Sequence, residues 1–340
     1  MIARRTAVKK DLLADEGYAH KVDAIGDSLQ KIEAVVDFAA LAQAVEKIAP
    51  RQEQAQGGRP PYPAEVLVRV LVVKRLYGLS DEQAEFQLLD RRSFRRFIGL
   101  EHSRNIPDRT TIWNFDNRIG VDGVTAVFTE LDRHIRAKGL EYRAGQIVDA
   151  TLVPAPRQHF TREEKEILDQ DAMPADWKPT KLRQKDVDAS LTKKHGKSYH
   201  SYKFRVSVDR KCKFVRTCVA DTACVHDSQH LEAAMDEWST GAEIYADKGY
   251  VGGEREERLG EQGCRPQIQR KAKLGETLSA CQERRNSRIV RIRSRLEHVI
   301  AAIRQWGGKC IRTIGQALAN FAMGMLVVVY NMRRLAFLGT

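Results

Sequence analysis

Cysteine pairs, membrane-length apolar runs and acidic residues near the C-terminus are all scarce in this 340-residue chain. Six cysteines (Cys212, Cys218, Cys224, Cys264, Cys281 and Cys310) lie beyond residue 200 with no CxxC pair, so neither a disulfide framework nor a zinc ribbon is expected. His159, His195, His200 and His226 fall near the first three of them without zinc-ligand spacing. The apolar stretch FAMGMLVVVY, residues 321–330 between Asn320 and Asn331, is far shorter than the ~20 residues a spanning helix requires. It reads as a buried core helix. The N-terminal MIARRTAVKK runs straight into acidic DLLADEG without the apolar segment of a secretory signal, so export is not expected.

What is abundant is positive charge. Fifty-seven Lys and Arg against 45 Asp and Glu give a formal +12, which raises the local concentration of a polyanion and steers its approach. Hydrophobic residues at 42% supply enough material for a core, and the length suits about two domains. A globular, phosphate-seeking protein is the expectation.

Residues 1–50 form an N-terminal helical segment. Within it, residues 22–49 predict one packing or dimerisation helix with Ile25, Leu29, Ile32, Val35 and Val36 on one side, ending at Pro50. The Gly, Pro and Gln stretch at 51–63 reads as a linker. Residues 64–139 become densely helical. Gly78 supplies a left-handed cap, Ser80 and Gln83 a capping box, and Pro107 with Asp108 another helix start. This set carries Arg91, Arg92, Arg95, Arg96 and Arg109 and reads as a helix-turn-helix-like DNA-binding module in which arginines clamp phosphates.

Beyond residue 140 the period changes from helix to strand. GQIVDATLVPA (145–155) is a strand with a single acid, residues 201–210 and 213–221 form a hairpin, SQHLEAAMDEW is a helix, and AEIYADKGYVGG a strand ending in a glycine turn. A mixed sheet flanked by helices follows, giving an α+β chain. Residues 156–199 form a charged, exposed insertion.

Three carboxylates stand out. Asp149, in the apolar strand IVDATLV, would be costly to bury without a cationic partner. Asp247 ends IYAD, where open sheets face a crevice. Glu297 is the sole acid after Glu283. At roughly 100° per residue, Glu297, Arg293 and Arg304 cluster within about 40° at the margin of a stripe formed by Ile289, Ile292, Leu296, Val299, Ile300 and Ile303. Converging carboxylates suit Mg²⁺, and two such ions support in-line displacement at phosphorus. Taken alone, Glu297 also fits an i, i+4 ion pair with Arg293.

These residues resemble the insertion-sequence DDE transposases of the IS-five type, within the IS-four-like group. The match runs through PPYPAEVLVRVLVVKRLYGLSDEQAEFQLLDRRSFRRFIGL, IPDRTTIWNF, IVDATLV, SYHSYKFRVSVD, VHDSQHLEAAM, IYADKGYVGG and RSRLEHVIAAIR in order. The resemblance implies a ribonuclease H-like catalytic domain over residues 140–340 and makes Asp149, Asp247 and Glu297 the catalytic and metal-holding acids. It implies Mg²⁺, with Mn²⁺ as a substitute and two ions in all. Partners would be double-stranded DNA, as terminal inverted repeats and target, and a second copy in a homodimer assembled on DNA. The location would be bacterial cytoplasm, at the nucleoid. In the family's glutamate signature Arg293 and Glu297 match, while Val290 replaces the tyrosine and Arg304 the lysine. Arg293, Arg304, Lys248 and the Tyr202–Lys203 strand motif would touch DNA, and Asp227 would cap a helix. Two rivals stay open: a non-enzymatic DNA-binding regulator, which leaves Asp149 unexplained, and a nuclease of the same fold, which would cut without joining.

Overall fold

A computed structural model describes residues 14–51, 60–140, 145–156, 158–168, 170, 172–194, 197–222, 231, 235, 243–272 and 275–339. The N-terminal region is wholly helical: α1 (Ala14–Ile25), α2 (Ser28–Glu33), α3 (Phe38–Ile48), α4 (Ala64–Leu76), α5 (Asp81–Asp90), α6 (Arg92–Phe97) and α7 (Arg109–Ala137). The single helix expected over residues 22–49 is therefore three. Gly26 turns the chain at φ 93°, and Asp27 and Asp37 each cap a new helix by accepting from Leu29 N and Ala40 N. Each cap satisfies backbone donors that a continuous helix would have paired internally. Leu29, Ile32 and Val36 are buried as expected, but Ile25, beyond the break, is 86% exposed.

Further along, the local signals hold. Ser80 and Gln83 make the reciprocal capping box of α5, and Asp108 caps α7 through Thr111 N. Two helices expected on either side of Gly120 are joined in α7 across a kink where that glycine takes φ 51°. Gly78 carries the left-handed turn after α4 at φ 63°.

The second region holds β1 (Gln146–Pro154), α8 (Arg162–Leu168), α9 (Pro179–Leu182), β2 (Ser190–Lys194), β3 (Lys197–Asp209), β4 (Val215–Thr222) and β5 (Glu243–Ala246). It continues with α10 (Gly253–Glu261), β6 (Arg265–Ile268), α11 (Ala280–Ile303) and α12 (Gln316–Leu338). Among the described residues these strands make one six-stranded sheet in the order β2-β3-β1-β5-β6, with β4 also pairing β3. β1, β3 and β4 run antiparallel, whereas β5 and β6 lie parallel to β1, an arrangement consistent with a ribonuclease H-like domain. The expected hairpin is β3 with β4. β2 and β6 escaped the sequence pattern, the first within the charged insertion and the second only RPQI. Of the helix expected over residues 228–238 only residues 231 and 235 are described, and the rest, with Asp227 and Cys224 before it, lies outside the described residues.

The insertion is also less of an excursion than its charge implied. Asp186 is fully buried and accepts from the Tyr202 hydroxyl at 2.6 Å and from Ala189 N at 3.1 Å. At Glu164 the carboxylate gathers Trp177 Nε1, Lys181 Nζ and Thr161 N at 2.9, 2.6 and 2.8 Å. Burial and the Asp186 hydrogen bond push the Tyr202 hydroxyl far above the usual phenol range. A fully buried Tyr202 cannot meet DNA, which corrects that expectation.

Helix α12 joins the two regions. Phe321, Met325, Val328 and Met332 enter the core of the N-terminal helices, and Met323, Leu326, Val327 and Tyr330 enter the core under the sheet. Contact on both faces explains why residues 321–330 are apolar on every side and not in one stripe. It is long and apolar enough to cross a membrane by composition, but 72% of that stretch is buried inside the protein. The two asparagines flanking the run cover the β4 edge: Asn320 exchanges hydrogen bonds with Ala220 N and O, Asn331 with Val215 N and O. The backbone groups of an otherwise open edge are thereby paired.

Candidate active site

Strand alternation places Ile147, Asp149 and Thr151 on one face of β1 and Val148 on the other. Ile147 joins the core beneath α11 and α12, and Val148 the opposite core with Ile244 and Leu259. Asp149 therefore faces α11. In the parallel pair, Ile147 lies beside Tyr245, and continuing that register by two residues puts Asp247 beside Asp149 where β5 ends. Open α/β sheets offer their crevice at such strand ends.

Helix α11 begins at a capping box made by Ser279 and Gln282 and buries Ile289, Leu296, Val299 and Ile303. That stripe fixes which edge meets β1. Arg293 reaches across it: Nη2 donates to Asp149 Oδ2 at 2.6 Å, and Nη1 donates to Gln269 Oε1 at 2.9 Å and stands 3.4 Å from Asp247 Oδ1. One guanidinium thus bridges both strand acids. Asp149 Oδ1 also accepts from Ala150 N at 2.8 Å, and Asp247 Oδ1 from Lys248 N at 2.7 Å. Burial lifts the Asp149 carboxyl above its ordinary range, Arg293 opposes that rise, and Asp247 adds to it.

Glu297, one turn beyond Arg293, is exposed. It lines with Asp149, Thr151, Arg304 and Lys309 an open cavity of about 590 Å³. Arg304 Nη2 donates to Thr151 Oγ1 at 2.6 Å across the same opening. Of the three residues assigned to one helix edge by angular spacing, Arg293 and Arg304 bond residues of β1 and Glu297 lines the cavity beside Asp149. Arg293 pairs with the strand acids and not with Glu297. A larger cavity, about 790 Å³, lies between α3 and α7, but its acids, Asp122 and Glu130, share it with Lys47 and Arg133, and Glu130 is already paired with Arg133 at 2.6 Å. Chemistry, not volume, selects the smaller one. As the side chains stand, no three His, Cys, Asp or Glu among the described residues are close enough to hold a metal ion together. The donor set nevertheless fits a hard divalent cation: two carboxylates already share one cation, and a third lines the adjoining cavity.

Two family descriptions match the chain, Transposase domain (DUF772) over residues 18–118 and Transposase DDE domain over residues 143–332. The chain belongs to the DDE transposases. No solved structure matches it. Such a transposase acts on DNA, and its second matched region contains all three acids.

The transposase's other candidate residues are more scattered. Arg92 pairs with Glu101 at 2.7 Å, Arg95 donates to the Leu88 and Leu89 carbonyls, and Arg96 reaches Asp23 and Asp27. Exposed Arg91 lies over the Tyr77 and Phe94 rings. Arg109 is exposed at the first turn of α7, its N–H donating to Glu85 at 2.9 Å. Lys248 is exposed beside Asp247. Lys203, expected to touch DNA, is half-buried in the interior of the sheet, its backbone between Leu152 and Asp221. Sequence reasoning missed Gln269 and Thr151. Gln269 follows a strand it did not foresee, and Thr151 shares the face of Asp149 by simple alternation.

Proposed function

We propose that this transposase, of the IS-five type, binds the inverted repeats at the ends of its element, cuts there, and joins the freed 3′-hydroxyl to target DNA. The observation that carries this reading is the pairing of Asp149 and Asp247 on adjacent parallel strands, with Glu297 lining the cavity into which Asp149 opens. Asp149, Asp247 and Glu297 would hold divalent metal, Mg²⁺ or Mn²⁺, which when bound supplies an activated attacking oxygen and neutralises charge at phosphorus.

The chain's own groups set the geometry. β1 and β5 fix two carboxylates side by side, α11 brings the third along their exposed margin, and Arg304 and Lys309 at the cavity rim offer cations to backbone phosphate. Water attacks first at the element end, and the released 3′-hydroxyl is the nucleophile of the second step. Arg91 and Arg109, exposed on the helical region, contact phosphate there, while Arg92, Arg95 and Arg96 hold its helices in place. Residues 64–139 serve as the DNA-recognition region ahead of the catalytic domain, residues 1–50 as a dimerisation segment and 51–63 as a linker, and cutting two ends together calls for a homodimer on DNA.

The test uses DNA carrying the element's ends, with cleavage and joining followed on gels in Mg²⁺. Asp149→Asn and Glu297→Gln are expected to bind this DNA as the parent does while losing both products by at least about a thousandfold, roughly 4 kcal/mol of barrier. Variants that cut and join normally would overturn the assignment. Cleavage by the parent without any joined product would favour the nuclease reading.

A further inference from the structure

We infer that Arg293 is a stand-in cation: in the metal-free transposase its guanidinium occupies the charge position between Asp149 and Asp247, and a divalent ion must displace it to bind there. This rests on the active-site reading above. Two carboxylates on neighbouring strands repel each other, and Asp149 is three-quarters covered, its side chain 25% exposed. A cation between them is what keeps both there without metal.

The geometry is that of a braced replacement for an ion. Separate nitrogens face the two acids, and Gln269, just past β6, holds the fork from a third direction at 2.9 Å. The Arg293 side chain is only 15% exposed, so the charge is sequestered from water. Its Nε is buried with no partner, so the guanidinium is held for its charge with its hydrogen-bonding capacity incompletely used. Glu297 follows one turn along the same edge, exposed to the adjoining cavity. The helix thus carries both the cation now seated between the acids and the acid that would complete a metal shell.

A guanidinium seated between the two acids repels a divalent ion and fills the space it would take, so Arg293 and metal compete. Arg293 drawn away by a backbone phosphate leaves the acids to metal, and metal that displaces Arg293 leaves the guanidinium to phosphate. Metal and DNA should therefore strengthen each other's binding, by the same factor in both directions.

Mn²⁺ binding to the full chain, read by the electron paramagnetic resonance signal of free Mn²⁺, tests this without any turnover. Without DNA, Arg293→Gln should bind Mn²⁺ about tenfold more tightly than the parent, within the range of ordinary coupling energies. A DNA duplex should tighten Mn²⁺ binding in the parent and change it much less in the variant. Should the glutamine variant not fold, Arg293→Met removes the charge and keeps an unbranched stem. Tighter Mn²⁺ binding by the methionine variant supports the competition, and unchanged or weaker binding overturns it, as it would for the glutamine variant. Asp149→Asn separates the two levels of inference: if it binds Mn²⁺ as the parent does, the acid site itself is misassigned, whatever Arg293 does.

Discussion

The two regions of this transposase put the same device, one cation shared by two acids, in different settings. Around the sheet, Arg293 joins Asp149 and Asp247 where β5 ends, and a third acid, Glu297, lines the cavity that Asp149 also lines. Among the N-terminal helices the shared cations fasten one segment to another: Arg96 to Asp23 and Asp27, Arg69 to Glu33 and Glu65, with Arg92 paired to Glu101. A formal +12 is thus no map of DNA contact. The chemistry lies where a third acid adjoins the shared pair, and much of the arginine-rich helical surface is fastened to itself.

That contrast can be broken most forcefully at Lys74. Its ammonium, 6% exposed, lies between Asp81 and Asp116, and burial pushes the Asp116 carboxyl above its usual range. Lys74→Met leaves that carboxylate with only the longer contact to Arg75 at 3.7 Å, and denaturant unfolding should show a loss of about 3 kcal/mol. Adding Asp116→Leu is expected to recover most of it, as local matching requires. A loss of under about 1 kcal/mol would mean that the helical charges are surface decoration.

A smaller effect sharpens the difference within the helical region. The logarithm of DNA affinity falls with the logarithm of salt concentration at about 0.9 per phosphate contacted. Anisotropy titrations at several salt concentrations should show that slope reduced by about 0.9 in Arg109→Gln, while Arg92→Gln, already engaged by Glu101, leaves it unchanged. Equal losses in both would erase the distinction between fastened and available arginines.

The smallest effect is in the insertion. Hydrogen bonds from Lys181, Thr161 and Trp177 hold the Glu164 carboxyl down at about 2. A carboxylate depressed in the folded state contributes stability at pH values above its unfolded value, and that contribution is lost as pH falls toward the folded one. The stability difference between parent and Glu164→Gln should therefore be constant above about pH 4.5 and shrink between there and about pH 2. A difference that does not vary with pH would mean that the three donors act on shape and not on charge.

Much of this was legible because the deciding forces were local. The hairpin of β3 and β4 follows from alternation, the α5 and α7 starts from side chains that satisfy orphan N–H groups, and the Arg293, Glu297 and Arg304 edge from helical spacing. The break in the residue 22–49 helix was also written locally, in Gly26, Asp27 and Asp37, but the hydrophobic period continues across it and masked the caps. What spacing could not supply was contact between distant segments. Whether Arg293 turns to Glu297 on its own helix or to acids on two strands is decided by the α11 to β1 packing, and nothing in RPQI signals that the next glutamine braces it. Asp186 under Tyr202 is a further case, since a charged stretch gives no sign that one of its acids will be fully buried.

On the proposed function, acids from β1, the end of β5 and α11 share one divalent metal site. Fe²⁺ with ascorbate and peroxide, added to the transposase bound to DNA in place of Mg²⁺, generates radicals that cut the polypeptide beside the ion. Breaks are expected at three separate places, next to residues 149, 247 and 297, all suppressed by excess Mg²⁺ and all absent in Asp149→Asn. Cuts confined to one of these segments, or persisting unchanged in that variant, would contradict it.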